Sequence, residues 1–168
     1  MSLQDWGALG ELIGGVAIIV SLLYVGLQIR QGSNASRAAT NQAFSVQFSD
    51  LILQITRPEL RDIFWRGIKG LNKLQGSEIA AFMALLASIM RTYETFYFER
   101  LEGRFDSKIW EGYSLQLVDL YNNVGVQEYW AIRKHQFSRD FDSFLVSQSS
   151  TIEAKPMYGA DSKATPIA

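Results

Sequence analysis

Side chains that could carry catalysis or bind a metal are few in this sequence. The chain has one histidine, His135, and no cysteine, so disulfides, thiol nucleophiles and cysteine- or histidine-rich metal sites are excluded. A di-iron helical bundle needs two Glu-x-x-His pairs, which a single histidine cannot supply. Arg133 and Lys134 precede His135, which favours a solvated position for its imidazole.

Motifs for phosphate binding and for serine nucleophiles are missing as well. The sequence contains neither G-x-G-x-x-G nor GK[ST], and it has no G-x-S-x-G elbow. A catalytic pair of carboxylates stays open because acids are numerous, but no spacing singles one out. We therefore predict no catalytic residue, no metal ligand and no cofactor.

Two charges fall on the apolar side of the clearest predicted helix, residues 77–101, whose apolar face includes Tyr93. When successive residues are projected around a helix axis, Arg100 lies inside the apolar arc and Glu94 lies at its edge. A buried charge needs a partner, so we predict a buried ion pair that involves Glu94 and Arg100. A catalytic or ligand-binding role for these two is the alternative.

The most prominent element is an apolar run near the N-terminus. Residues 12–29 carry no charge, and eleven of these 18 are Leu, Ile or Val. About 20 such residues cross a bilayer core, and each contributes about −0.3 to −0.6 kcal/mol to insertion. We predict a transmembrane helix at about residues 9–29. The alternatives are a buried helix of a soluble core and a cleaved signal peptide, which would need a basic segment before the run.

Small residues follow one side of this helix at alternating spacings of three and four. We name this row the small-residue seam: Gly7, Gly10, Gly14, Ala17, Ser21, Tyr24 and Gln28. Helices associate in lipid through close backbone approach and polar contacts, so the seam predicts packing on a second copy or on another membrane protein. A chance distribution of glycine is the alternative. In an oligomer, Glu11 could form a ring of carboxylates at a pore mouth.

The remaining sequence predicts an all-α protein, in which the single N-terminal transmembrane helix is followed by a helical bundle. We expect an anchor at residues 1–31, a helical domain at 32–148 and an irregular tail at 149–168. Asp106 and Ser138 are predicted helix caps, and residues 122–125 a turn. Residues 59–74 form a basic amphipathic stretch, which either packs on the bundle or lies on a membrane surface.

Charge sets the expected orientation and excludes one class of partner. Asp5 and Glu11 precede the run, whereas Arg30 and Arg37 follow it, so the positive-inside rule places the N-terminus outside and the C-terminal domain in the cytoplasm. The net charge of −1 and the pI of about 5.8 argue against nucleic acid binding, which needs a basic face.

The chain resembles a set of small uncharacterised bacterial proteins with one N-terminal membrane helix and a cytoplasmic helical domain. The stretches that carry the resemblance extend to about Leu145: Trp6 with residues 7–31, Ser36–Ala39, Arg91–Glu94, Glu102–Gly103, Trp110, Val126–Trp130, Arg133, Phe137–Ser138 and Phe141. Many members have an Asn-Thr pair where this chain has Gly32-Ser33. The resemblance implies a location in the bacterial inner membrane and implies no catalytic residue.

These patterns together predict a non-enzymatic, membrane-anchored helical protein. It would self-associate or serve as an accessory or scaffold subunit of an inner-membrane complex. A homo-oligomeric pore with Ser21 and Gln28 facing its axis is one alternative. A membrane-tethered ligand sensor or enzyme that uses Glu94 and Arg100 is another.

Overall fold

A computed structural model of the chain describes residues 3–152 and residue 155, without the side chains of residues 3–6, 8–10 and 12. Its α-helices are α1 (Leu3–Thr56), α2 (Pro58–Gly67), α3 (Ser77–Leu101), α4 (Ser107–Tyr121), α5 (Val124–Arg133) and α6 (Arg139–Thr151), with 3-10 turns at Leu71–Lys73 and Lys134–Gln136. These described residues contain no strand, so the all-α prediction is confirmed.

The chain divides into two compact units, residues 1–39 and residues 40–168. The division falls within α1, later than the expected end of the anchor at residue 31. Gly32 and Ser33, which could have broken the helix, lie inside α1.

Local sequence signals set several helix ends. α1 ends before Arg57, which takes an extended conformation with ψ of 133°, and Pro58 then opens α2. This order follows from the clash between a proline ring and a helical preceding residue. The Asp106 side chain accepts two backbone N–H groups at the start of α4, and Ser138 accepts one at the start of α6. Both predicted caps are therefore confirmed.

The start of α5 differs from the prediction. The predicted turn at 122–125 is wrong for residues 124 and 125, because α5 already begins at Val124. Gly125 lies at a close crossing, where an added Cβ would come within 1.8 Å of the Gly67 carbonyl oxygen. Its N–H donates to the Ile68 carbonyl oxygen at 3.0 Å. The glycine thus allows close contact between segments that are distant in sequence, and a local sequence pattern cannot predict such a contact.

The core of the second unit forms around Phe44 of α1, which is fully buried. The Phe44 ring lies edge-on to Tyr113 at 4.3 Å and to Phe96 at 4.4 Å between centroids, a geometry that aromatic pairs favour. The central helix is α3, which buries Phe82, Leu85, Leu86, Ile89, Met90, Tyr93, Phe96 and Tyr97. This packing fixes α3, which carries the residues considered below.

The basic stretch at residues 59–74 packs inside the second unit. Phe64 is 2% exposed, and its ring lies 6.4 Å from that of Phe82. Arg66 donates to both carboxylate oxygens of Glu78, at 2.7 and 3.0 Å. These contacts favour the packed helix over a helix on a membrane surface, because the apolar face already contacts α3.

α6 extends further along the chain than predicted. α6 continues to Thr151, although we predicted an irregular tail from residue 149. The backbone N–H of Lys155 donates to Asp119 Oδ1 at 2.7 Å. The rest of the predicted tail, residues 153–154 and 156–168, lies outside the described residues.

Candidate functional sites

In the first unit, the large apolar side chains between Ile13 and Ile29 are all exposed, from 48% at Val25 to 69% at Ile29. Among the described residues, two helices are long and apolar enough to cross a membrane, α1 over Ile13–Thr56 and α3. The apolar window of α3 is 44% buried in the protein, whereas that of α1 is 0% buried. The two helices thus differ in whether the protein itself covers them.

Along the small-residue seam, contacts within the chain do not explain why glycine stands where a larger side chain would fit. A Cβ added at Gly7 or Gly14 would meet no packed atom within 4 Å. The Ser21 hydroxyl donates to the Ala17 carbonyl oxygen at 2.8 Å, so its donor is used inside the helix. Gln28 is exposed. The described part of the seam is therefore a free surface of α1 in this chain.

Two sequence-predicted positions lie close to the N-terminal end of the run. Glu11 is exposed on α1. The surroundings of Gly10 lie outside the described residues. A ring of Glu11 carboxylates stays a prediction, since a ring requires several copies of the chain.

In the second unit, Glu94 is a buried carboxylate, 6% exposed. It forms an ion pair with Arg91, one helical turn earlier on α3. Its Oε1 accepts the backbone N–H of Ser138 at 2.7 Å. Because Ser138 is the cap of α6, one carboxylate joins α3 to the start of α6.

Arg91 strengthens this connection. Its Nη2 donates to the Gln136 carbonyl oxygen at 3.0 Å, and its guanidinium lies 4.5 Å from the centroid of the Phe137 ring, within the range of a cation–π contact. Arg100 is half-buried and has no ion pair within the described ranges. The structure therefore brings Glu94 together with Arg91 rather than with Arg100, which lies about 9 Å further along the helix axis.

The geometry around Glu94 suits a structural contact better than catalysis. One carboxylate oxygen pairs with Arg91 and the other accepts a backbone N–H, so both are occupied. His135 is exposed. In the part of the chain that the structure describes, no group of three or more His, Cys, Asp or Glu could hold a metal ion.

Sequence reasoning did not find an apolar groove of about 370 Å³ in the second unit. Its walls come from α1, α2, α3 and α4 and include Phe48, Ile52, Phe64, Ile89 and Leu120. Polar groups at Gln116, Asp119 and Lys155 also line it. Periodicity identifies these side chains as apolar or polar, but it does not show that four helices leave a space between them.

Tyr93 is the groove residue with a buried hydroxyl. The residue is 2% exposed and lines the groove. Among the described residues, the buried side-chain oxygen without a hydrogen-bond partner is the Tyr129 hydroxyl, on α5. Burial, together with the nearby Tyr113 hydroxyl, raises the pKa of Tyr93 above its ordinary range. The phenol therefore stays neutral at physiological pH. The sequence predicted Tyr93 on the apolar face of α3, and its burial confirms this.

Replacing Glu94 and Arg100 one at a time tests whether Glu94 stabilises the second unit independently of Arg100. We expect Glu94→Ala to lower the free energy of unfolding by about 1–3 kcal/mol, because the part-buried N–H of Ser138 loses its acceptor. Arg100→Ala is the control and should lower it by less, because Arg100 forms no ion pair in the described ranges and only the packing of its half-buried stem is lost. Urea titration of the full chain in mild detergent, followed by tryptophan fluorescence, measures both. A loss for Arg100→Ala as large as that for Glu94→Ala would contradict the assignment.

Comparisons with known proteins identify no relative of this chain. No family model matches the sequence, and searches of curated proteins and of solved structures find no match. The resemblance to small bacterial membrane proteins consequently stays a prediction. The sites must be interpreted from their own geometry.

Proposed function

We propose that this is a non-enzymatic, single-pass protein of a bacterial inner membrane, anchored by α1 at about residues 9–29. Its helical domain lies in the cytoplasm. It associates through the small-residue seam, either with its own copies or as an accessory or scaffold subunit of another membrane protein. The observation that carries the proposal is the exposure of the apolar side chains between Ile13 and Ile29.

Water is an unfavourable solvent for this part of α1. Removing one Val, Leu or Ile side chain from water contributes about 1.5–3 kcal/mol, and soluble monomers rarely expose a long continuous apolar surface. A helix is the form in which a single segment satisfies its backbone hydrogen bonds inside lipid. Insertion in a bilayer covers all sides of the run at once.

The other apolar helix, α3, is poorly suited to span a bilayer. Its apolar side chains already pack in the core of the second unit. Its C-terminal half carries the charged residues Arg91, Glu94, Glu99 and Arg100. Charges inside a hydrocarbon core are costly, so a location outside the membrane is favoured for α3.

Flanking charges support the proposed orientation. Arg30 and Arg37 follow the run and are exposed on α1, whereas Glu11 is at its N-terminal end. Basic residues accumulate on the cytoplasmic side of membrane helices. The domain that follows α1 is therefore assigned to the cytoplasm.

Two arginines in the run should abolish anchoring. Ile19→Arg with Leu23→Arg makes insertion less favourable by about 6 kcal/mol on the insertion scale, so we expect this variant in the supernatant after an alkaline carbonate wash of membranes. The wild-type chain should sediment with the membranes. Ile109→Arg with Leu115→Arg, at exposed apolar positions of α4, is the control and should sediment too. Release of the wild-type chain by the wash would contradict anchoring.

The small-residue seam supports association because its glycines leave room that the chain itself does not fill. Close approach of helix backbones is the main source of affinity between membrane helices. Gly14 lies on the seam, and Gly15 lies beside it. An added Cβ would meet no packed atom at either position, so these two glycines form a matched pair.

Gly14→Leu should weaken self-association, whereas Gly15→Leu should leave it nearly unchanged. We expect the association constant to fall by about tenfold for Gly14→Leu, the scale of 1–2 kcal/mol that interhelical contacts contribute in membranes. Because the chain has no cysteine, Ser150→Cys allows donor and acceptor dyes to be attached for energy transfer in liposomes. Unchanged transfer for Gly14→Leu would show that the seam is not the interface. Wild-type copies without transfer would favour another membrane protein as the partner.

A further inference from the structure

We propose that a cleft between α3 and α5 binds an amphiphile that has one apolar chain and one carboxylate. We name it the α3–α5 cleft, and its lining includes Ala80, Ala84 and Ala87 of α3 and Tyr129, Ile132 and Arg133 of α5. The carboxylate pairs with Tyr129 and Arg133, and the apolar chain lies along α3. The cleft belongs to the second unit alone, so the proposal does not rest on the membrane anchor.

The Tyr129 hydroxyl is the observation that points to a ligand. Tyr129 is 1% exposed and lines the cleft, and its hydroxyl oxygen is buried without a hydrogen-bond partner among the described residues. A buried hydroxyl without a partner is unfavourable, and the large majority of buried polar side-chain atoms in folded proteins have one. A ligand oxygen in the cleft would supply the partner that the protein lacks here.

The charges that act on this hydroxyl are positive. Burial raises the pKa of Tyr129, and the nearby Arg133 and Arg91 act in the opposite direction. The phenol therefore stays neutral at physiological pH and keeps a proton to donate. Arg91 is already paired with Glu94, whereas Arg133 forms no ion pair in the described ranges. One hydroxyl donor and one unpaired guanidinium together match a single carboxylate.

The composition of the lining disfavours other head groups. Arg133 is the one residue of the described lining that carries a charge, and the other long polar side chain there, Gln136, is neutral. A cationic head group would be repelled by Arg133, and a neutral head group would gain no ion pair from it. A phosphate monoester carries a charge of about −1.5 to −2 at neutral pH, of which Arg133 balances one. A carboxylate matches the charge and accepts the hydrogen bond.

The rest of the lining suits one apolar chain. Ala80, Ala84 and Ala87 follow each other at spacings of four and three, which places them on one side of α3, and they span about 10 Å along the helix. Met83 and Ile132 add apolar surface beside these small side chains. The volume of the cleft, about 740 Å³, lies within the range of about 300–1,000 Å³ for small-molecule sites.

The two ends of the cleft differ in polarity. Arg91 Nη2 donates to the Gln136 carbonyl oxygen at 3.0 Å, so Gln136 and the preceding Arg133 lie towards the middle of α3, whereas Ile79 lies at its start. The apolar chain therefore extends towards the start of α3. Arg133 is exposed, and exposed side chains change rotamer within nanoseconds. It can move aside to let the carboxylate reach the Tyr129 hydroxyl.

The test uses the full chain in nanodiscs of zwitterionic phospholipid, with a medium-chain carboxylic acid that carries a photoreactive diazirine in its alkyl chain. After irradiation, mass spectrometry of peptides locates the labelled residues. We expect labelling of residues 79–87 and of the peptide that contains Ile132, with saturation as the probe concentration rises. The corresponding primary alcohol, with the same chain and diazirine, should label these segments several-fold less.

Matched variants separate the cleft from general contact with lipid. Ala84 and Ala131 are both exposed, but Ala84 lines the cleft and Ala131 does not. We expect Ala84→Trp to abolish saturable labelling and Ala131→Trp to retain it. Arg133→Gln should raise the concentration for half-maximal labelling by about fivefold, the upper scale of an exposed ion pair. Lys134→Gln removes an exposed neighbouring cation that does not line the cleft, and it should leave this concentration nearly unchanged.

Tyr129→Phe tests the hydroxyl itself. It should raise the concentration for half-maximal labelling by about tenfold, the scale of a hydrogen bond to a charged group. Without the probe, this variant should unfold at the same urea concentration as the wild-type chain or at a higher one, since the hydroxyl that it removes has no protein partner. A clear loss of stability would show that the protein already satisfies this hydroxyl, and it would overturn the role of Tyr129 in binding.

Four further results would overturn the proposal. Labelling that Ala84→Trp leaves unchanged would mean that the probe lies outside the cleft. Equal labelling by the acid and the alcohol would refute selection of a carboxylate. Labelling that occurs only after residues 156–168 are deleted would identify the chain's own C-terminal segment as the occupant. Reduced energy transfer between copies that carry Ala84→Trp would identify a second copy as the occupant. None of these results depends on whether the wild-type chain resists the carbonate wash.

Discussion

The strongest physical constraint on this protein is the uncharged apolar run of α1, whose large side chains are exposed between Ile13 and Ile29. A soluble domain would cover such a surface with a second element, but the described residues 3–39 consist of this one helix. Lipid or another apolar helix must provide the cover. This requirement supports the proposed membrane placement, and the seam of small residues marks the side on which we propose that a second helix approaches.

The second unit buries its large apolar side chains within its own core. Aromatic rings from several helices pack around Phe44, and α3 lies at the centre. The buried Glu94 is tolerated because Arg91 and the N–H of Ser138 use both of its oxygens. An apolar groove remains beside Tyr93, and the buried hydroxyl of Tyr129 has no partner among the described residues.

Local patterns predicted the helices well, and they failed where distant segments meet. Asp106, Pro58 and Ser138 set helix ends through contacts with their immediate neighbours, so the sequence was sufficient there. Gly125 is of a residue type that is typical of turns, but it lies where the start of α5 packs closely against Gly67. The partner of Glu94 and the groove also depend on how helices pack, which periodicity does not specify. The small-residue seam needs only helical spacing, and so it was visible in the sequence.

Spin labels introduced as single cysteines, which the native chain lacks, test membrane placement most directly. In bilayers, collisions with oxygen report contact with lipid, and collisions with a water-soluble nickel complex report contact with water. We expect labels at Val20 and Leu27 of α1 to be accessible to oxygen. Labels at Ala84 and Ser88, exposed positions of α3, should be accessible to nickel. Nickel access at both α1 positions, or oxygen access at the α3 positions, would contradict an anchor formed by α1 alone.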